Sequence, residues 1–313
     1  MFFIYSLVES LVKKLNKKAL ILASFTVFIW GSTFAAISSS LHGGYSAGHL
    51  ILFRFIIASI IFAIIACWPG VSFRLPKKED LLKIAFLGWI GISLYHICVT
   101  FGQLTITAGT AGMLIGSAPI FTTIIAVIVL KERLGTIGWF GLGFGFVGIV
   151  LIGIGTGDSI FNISPGVFLV IIAAIATSIF FVYQKSLLLK YNPIELTAYF
   201  TWTGTIPFLV FAPGLLDDIG HATLEANLSA IYIGVFPTAI AYLTWAIALS
   251  LSKASSISSL LYAEPVIAIV VAWLWLGELP TILSIIGGFI AIAGVVIVHL
   301  YGRRRGSVPQ NEI

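Results

Sequence analysis

The stretch Lys253–Glu278, KASSISSLLYAEPVIAIVVAWLWLGE, decides how this chain is read. From Ile257 to Leu276 it is apolar almost throughout, and about 20 apolar residues rising 1.5 Å each span a bilayer core. Glu264 sits near the middle of that run. A charge at such a depth costs roughly 2.5–3.5 kcal/mol on insertion scales, so the carboxyl must be protonated, paired or turned to water. Pro265 follows, and as a helix-interior proline it would free the carbonyl of Leu261. An ionisable group beside a broken helical ladder at mid-membrane marks the binding site in many secondary transporters.

The rest of the chain agrees with a membrane reading. It is 59% apolar and 9% charged, with a mean hydropathy of +1.10. A soluble domain carries about 25% charged residues. No connection is long enough for a nucleotide-binding domain, and no G-x-x-x-x-G-K-[ST] run occurs, which argues against ATP as the energy source. The net charge of +5 reflects placement against the membrane, not nucleic-acid binding. Cys67 and Cys98 fall in apolar runs and read as small hydrophobes. No metal-ligand or nucleophile motif occurs, so an enzyme is not expected and no cofactor is implied.

Ten apolar segments are expected, near 19–41, 49–68, 84–104, 109–130, 136–154, 165–184, 195–213, 228–249, 256–276 and 281–301. Residues 1–18, with Lys13, Lys14, Lys17 and Lys18, read as a short interfacial helix rather than a cleaved signal. Alternate connections then carry 16 of the 17 basic residues. The opposite connections carry His42, His49, Asp158, Asp217, Asp218, His221, Glu225 and Glu278. The positive-inside rule places both termini in the cytoplasm, here of a bacterial cell membrane. The Asp217-Asp218 pair reads as solvated loop. Glu132 and Glu278 read as acids favouring the N-termini of the fifth and tenth spans.

A shift of 146 residues lays spans 3–5 on spans 8–10. Pro119 meets Pro265, Glu132 meets Glu278, Gly141 meets Gly287 and Gly148 meets Gly294. Five spans per copy invert the second copy relative to the first, an architecture that lets two halves exchange inward and outward access. The fold class expected is an all-α membrane protein of ten transmembrane helices in two inverted repeats, 19–154 and 165–301, with a cytoplasmic tail at 302–313. The glycines seven residues apart place small residues on one face of spans 5 and 10, which read as scaffold. Two repeats in one chain suit a functional monomer.

With the repeat in place, the chain resembles the EamA branch of the drug/metabolite transporter superfamily. The resemblance rests on Phe28–Phe34 (FIWGSTF), Arg54-Phe55 with Ala58, the Ala108–Pro119 stretch, Leu130–Leu134 (LKERL) and its echo Leu276–Pro280 (LGELP). It implies a ten-helix exporter or exchanger of small metabolites, often amino acids, with a cavity lined mainly by spans 1, 3, 4, 6, 8 and 9.

Glu264 is the first candidate for proton coupling or for engaging a cationic group. Arg54 suits a substrate carboxylate or an ion pair with Glu264. His96, Tyr242, Trp245 and Trp30 sit at mid-depth, where an amphipathic or aromatic ligand would meet them, and Gln103 lies nearer the outer end of span 3. The expected function is secondary, proton-coupled export of small organic metabolites such as amino acids. Multidrug export of cations is the alternative, with a lipid flippase behind it.

Overall fold

The computed structural model describes residues 17–69, 73–129, 134–156, 163–251 and 259–301. The helices run in chain order as α1 (Lys17–His42), α2 (Ala47–Ala66), α3 (Lys78–Gly102), α4 (Ala108–Val129), α5 (Thr136–Ile154) and α6 (Pro165–Leu188). Then come α7 (Pro193–Phe211), α8 (Leu215–His221), α9 (Leu224–Ala248), α10 (Leu260–Leu276) and α11 (Ile282–Tyr301). Among the described residues, eight helices are long and apolar enough to cross a membrane; there are nine if α7 and α8, bent by 82°, form one span. α10 falls short of that length. Residues 1–16 of the expected interfacial segment, Glu132, Asp158, Lys253 and the basic tail lie outside the described residues, and Lys17 and Lys18 open α1.

Large apolar side chains face outward, among them Trp139, Phe140, Phe168, Val210, Leu274 and Phe289. That is the surface a bilayer solvates, and it leaves helix association to close packing and buried hydrogen bonds. α5 and α11 make the most extensive helix pair in the molecule. A Cβ placed on Gly141 would lie 3.0 Å from the Gly294 carbonyl oxygen, and one on Gly148 would lie 2.6 Å from that of Gly287. The 146-residue shift carries the first of these contacts onto the second.

Four helices are irregular in two pairs, and within each pair the irregularity recurs at the same spacing. α3 is π-helical over Trp89–Leu94, and α9 over Gly234–Ile240. In α9 the cause is Pro237, whose missing N–H leaves the Ile233 carbonyl without its α-helical donor. The Thr238 hydroxyl donates to that carbonyl instead, at 2.8 Å. α4 breaks between Ile115 and Ala118, just before Pro119. α10 is 3₁₀-helical over Ser259–Ala263, and its α-helix begins at Glu264 with Pro265 in the first turn.

This last feature corrects the expectation from sequence. Glu264 is not in the interior of an α-helix interrupted by proline; it opens one. Proline is tolerated in a first turn because the N–H it lacks has no intrahelical partner there.

The acids near the α1 C-terminus also differ from expectation. Asp218 is not solvated loop: it lies in α8 and accepts from Ser46 N at 2.8 Å and from His49 Nδ1 at 2.5 Å, fixing the start of α2. Glu278 does not cap its own following helix. Its carboxylate accepts from Ala108 N, at the start of α4, and from Ser38 Oγ. Cys67 is an exposed C-cap of α2, whereas Cys98 is buried; both are free thiols.

Candidate functional site

A cavity of about 370 Å³ lies within the bundle. α1, α3, α4, α6, α9 and α10 supply most of its wall, with Arg54 from α2 and His299 from α11. It runs from Ile37 and Val99 toward Gln184 and Leu188. That end of the bundle is basic, since Lys83 Nζ donates to Ser186 Oγ at 2.7 Å and Lys190 Nζ to Asp80 Oδ1 at 3.0 Å.

The opposite end is closed by polar contacts around α1. Ser39 Oγ donates to Glu225 Oε1, which also accepts from Trp275 Nε1, both at 3.1 Å. Tyr45 OH donates to Asn227 Oδ1 at 2.6 Å.

Glu264 is buried, at 8% exposure, yet lines the cavity. Two small residues let its helix start enter the bundle. A Cβ on Gly31 of α1 would meet Ile267 and the Glu264 carbonyl, and one on Gly116 of α4 would meet Pro265. Arg54, 2% exposed, is held by the π-helical segment of α9. Its Nε and Nη2 both donate to Thr238 Oγ1, at 3.0 and 2.9 Å. The proline that bends α9 thus creates the hydroxyl position that fixes the guanidinium. Nη1 makes no hydrogen bond among the described residues. Arg54 forms no ion pair with Glu264 and does not reach for headgroups. Tyr95 and Tyr242 line the same cavity as Arg54 and Glu264.

The aromatic candidates form one cluster. Trp30 meets Tyr242 edge-on at 5.3 Å between ring centroids and Trp245 at 5.2 Å. Trp30 Nε1 is spent on the Pro237 carbonyl at 3.1 Å, so its ring offers only an apolar face. His96 packs against Phe55 and Tyr95, each at 4.7 Å, and neither ring nitrogen has a hydrogen-bond partner among the described residues. Gln103 is the one sequence candidate outside the cavity; its Nε2 donates to the Phe34 carbonyl at 2.8 Å.

The structure adds wall residues that sequence reasoning missed: Thr122 and Thr123 in α4, Thr177 and Gln184 in α6, and Thr238 behind Arg54. Helical phase within broken helices is not readable from a uniform apolar pattern. Pro237 was the available signal for Thr238. Among the described residues no group of three His, Cys, Asp or Glu could hold a metal ion.

An apolar helical bundle around a cavity with a buried guanidinium and a buried carboxyl defines a multi-pass membrane protein with an internal polar site. The model of the EamA-like transporter family matches this chain twice, over residues 17–154 and 164–300. The chain belongs to that family. It is 36% identical over 289 residues to "Uncharacterized transporter YdfC" of Bacillus subtilis (strain 168), covering 92% of this chain and 93% of that protein. It is also 36% identical over 288 residues to a "Probable terminal-alkyne amino-acid exporter" of Streptantibioticus cattleyicolor, covering 91% of this chain and 95% of that one. A protein of known crystal structure superposes with a TM-score of 0.63 at 20% identity, over 93% of this chain and all of that one, and shares the fold.

Proposed function

We propose that the protein is a secondary active exporter of small organic metabolites, with amino acids and related compounds as the substrate class. The carrying observation is the cavity whose wall holds both Arg54 and Glu264 beside one aromatic cluster, with Arg54 Nη1 buried and without a hydrogen bond among the described residues. A guanidinium suits a carboxylate and a carboxylate suits an ammonium, so a zwitterion fits both ends. Trp30, Tyr242 and Trp245 offer faces to an apolar side chain. The amino-acid exporter among the relatives supports the class.

The chain crosses the bacterial cytoplasmic membrane ten times in this reading, as two inverted five-helix repeats with both termini cytoplasmic. Two family matches, the π-helical segments about 146 residues apart and the reciprocal α5–α11 glycine contacts support the repeat. With the basic end inside, the structure is inward-facing. Rocking of the halves closes the basic end and opens the acidic one. Glu264 couples this to protons, being buried against water exchange except through the cavity it lines.

Proteoliposome uptake of a radiolabelled amino-acid panel, with and without a pH gradient, tests the reading. Saturable, gradient-stimulated uptake that Glu264→Gln abolishes supports it. Uptake in Glu264→Gln with unchanged pH dependence removes the coupling role. Transport of aromatic cations without amino-acid competition favours drug export, which the cluster beside Glu264 also suits.

A further inference from the structure

α3 carries more buried, unpartnered polar atoms than the cavity uses. His96, Thr100 and Gln103 are 4%, 0% and 5% exposed. Both nitrogens of His96, Oγ1 of Thr100 and Oε1 of Gln103 make no hydrogen bond among the described residues. The spacing of four and then three residues puts them on one helix face. His96 lines the cavity, and Gln103 lies about two turns further toward the closed end, under α1. Buried polar groups without partners are rare because each bears a desolvation penalty, and three in a row call for an explanation. The Gln103 amide orientation is fixed by its donation to Phe34, so its free atom is an acceptor. Thr100 Oγ1 and a neutral imidazole nitrogen accept as well.

We propose that Thr100 and Gln103, leading on from His96 in the cavity wall, line the second half of the substrate route, sealed here by α1 and opened when the basic end closes. The inference rests on the alternating-access reading above. Each residue of the stripe presents at least one acceptor, beside the O–H of Thr100 and one imidazole N–H, whereas Arg54 only donates, so the stripe can receive a donor-bearing group such as a primary ammonium as it leaves Glu264. The seal is built to release. Beyond Phe34 and Ile37 at the cavity end, α1 is held through Ser38, Ser39 and Ser40 to Glu278, Glu225 and the Ala226 carbonyl. Water can replace such hydroxyl bonds at little cost.

Cysteine accessibility tests this without any substrate, so its failure is distinct from failure of the substrate class. Thr100→Cys is made in a Cys67→Ser, Cys98→Ala background, and a membrane-impermeant thiol reagent is applied to each side of oriented vesicles. Thr123→Cys, in the cavity wall, defines the side on which the cavity opens. Leu216→Cys, 80% exposed at the acidic end, gives the freely accessible rate. Leu94→Cys, on α3 with 40% exposure on the outer surface of the bundle, gives the lipid-facing background.

Thr100→Cys is expected to react from the side opposite Thr123→Cys. Its rate should be that of Leu216→Cys reduced by the outward-facing fraction, roughly 10–1000-fold for a minor state of 0.1–10%. Gln103→Cys should react from that same side. Reaction of both only from the Thr123→Cys side, or at the Leu94→Cys background from either side, overturns the proposal, provided Thr123→Cys reports a folded cavity.

Discussion

Gly148→Val separates the scaffold from the transport route. A Cβ at Gly148 would lie 2.6 Å from the Gly287 carbonyl oxygen and 2.8 Å from Ala291 Cα. Ordinary contact begins at 3.4 Å, and the atoms in the way are backbone, so no rotamer relieves the overlap. α5 and α11 must part by more than the ~0.8 Å shortfall from that oxygen, because the backbone N of Ala291 lies nearer still. Valine adds two methyls to that gap. Overpacking of a tight core costs about 1–3 kcal/mol, and a backbone-to-backbone contact belongs at the upper end. At roughly 2–4 °C per kcal/mol, the thermal midpoint should fall by about 5–10 °C. Gly143→Val, on the same helix with nothing within 4 Å of its Cβ, is the control and should change it little. The assay is thermal unfolding in detergent, read by loss of the monodisperse peak. α5 contributes nothing to the cavity wall, so folded Gly148→Val should keep the substrate preference of the wild type. Equal midpoints for the two variants would refute the packing argument.

Arg54→Lys should weaken transport more than its conserved charge suggests. A single ammonium cannot replace both donors to Thr238 and also present a free N–H, and loss of one charge-assisted bond of about 1.5–3 kcal/mol raises KM roughly 10–100-fold. An unchanged KM would remove Arg54 from substrate contact. Asp218→Ala should lower the thermal midpoint through loss of about 1–2 kcal/mol, because Ser46 N and His49 both lose their acceptor. Lys190 is raised above the ordinary lysine value, first by its hydrogen bond to Asp80. Its contribution to stability should therefore be complete below the ordinary lysine range and be lost as pH rises through the raised value. Wild type and Lys190→Met melts should differ by a constant amount from neutral pH to about 9 and converge only above roughly 10.4. Glu264→Gln, as described for transport, completes the set.

Much of the site was legible residue by residue. A charge, an imidazole or a deep aromatic ring is costly or unusual in an apolar helix, which singles out Glu264, Arg54, His96, Trp30, Tyr242 and Trp245, and all six line one cavity. Gln103 stands out on the same ground but lies outside, hydrogen-bonded to α1. Depth along a helix does not say which neighbour a side chain meets. Asp218 and Glu278 differ for a related reason. Sequence neighbours point each to its own loop or following helix, whereas the fold brings distant backbone N–H groups to their carboxylates. Local rules have no term for a partner more than a hundred residues away.

Composition and the 146-residue register were fixed by the sequence itself. A chain this apolar must place its backbone hydrogen bonds inside helices, and Pro119, Pro265 and Pro237 dictate where those helices yield. Tertiary structure decided what the breaks are for. The gap left by Pro237 is filled by Thr238, Thr238 seats Arg54, and the start of α10 places Glu264 between Gly31 and Gly116. A proline makes a carbonyl lose its donor by chemistry alone; which side chain then occupies that space depends on helices packed from elsewhere in the chain.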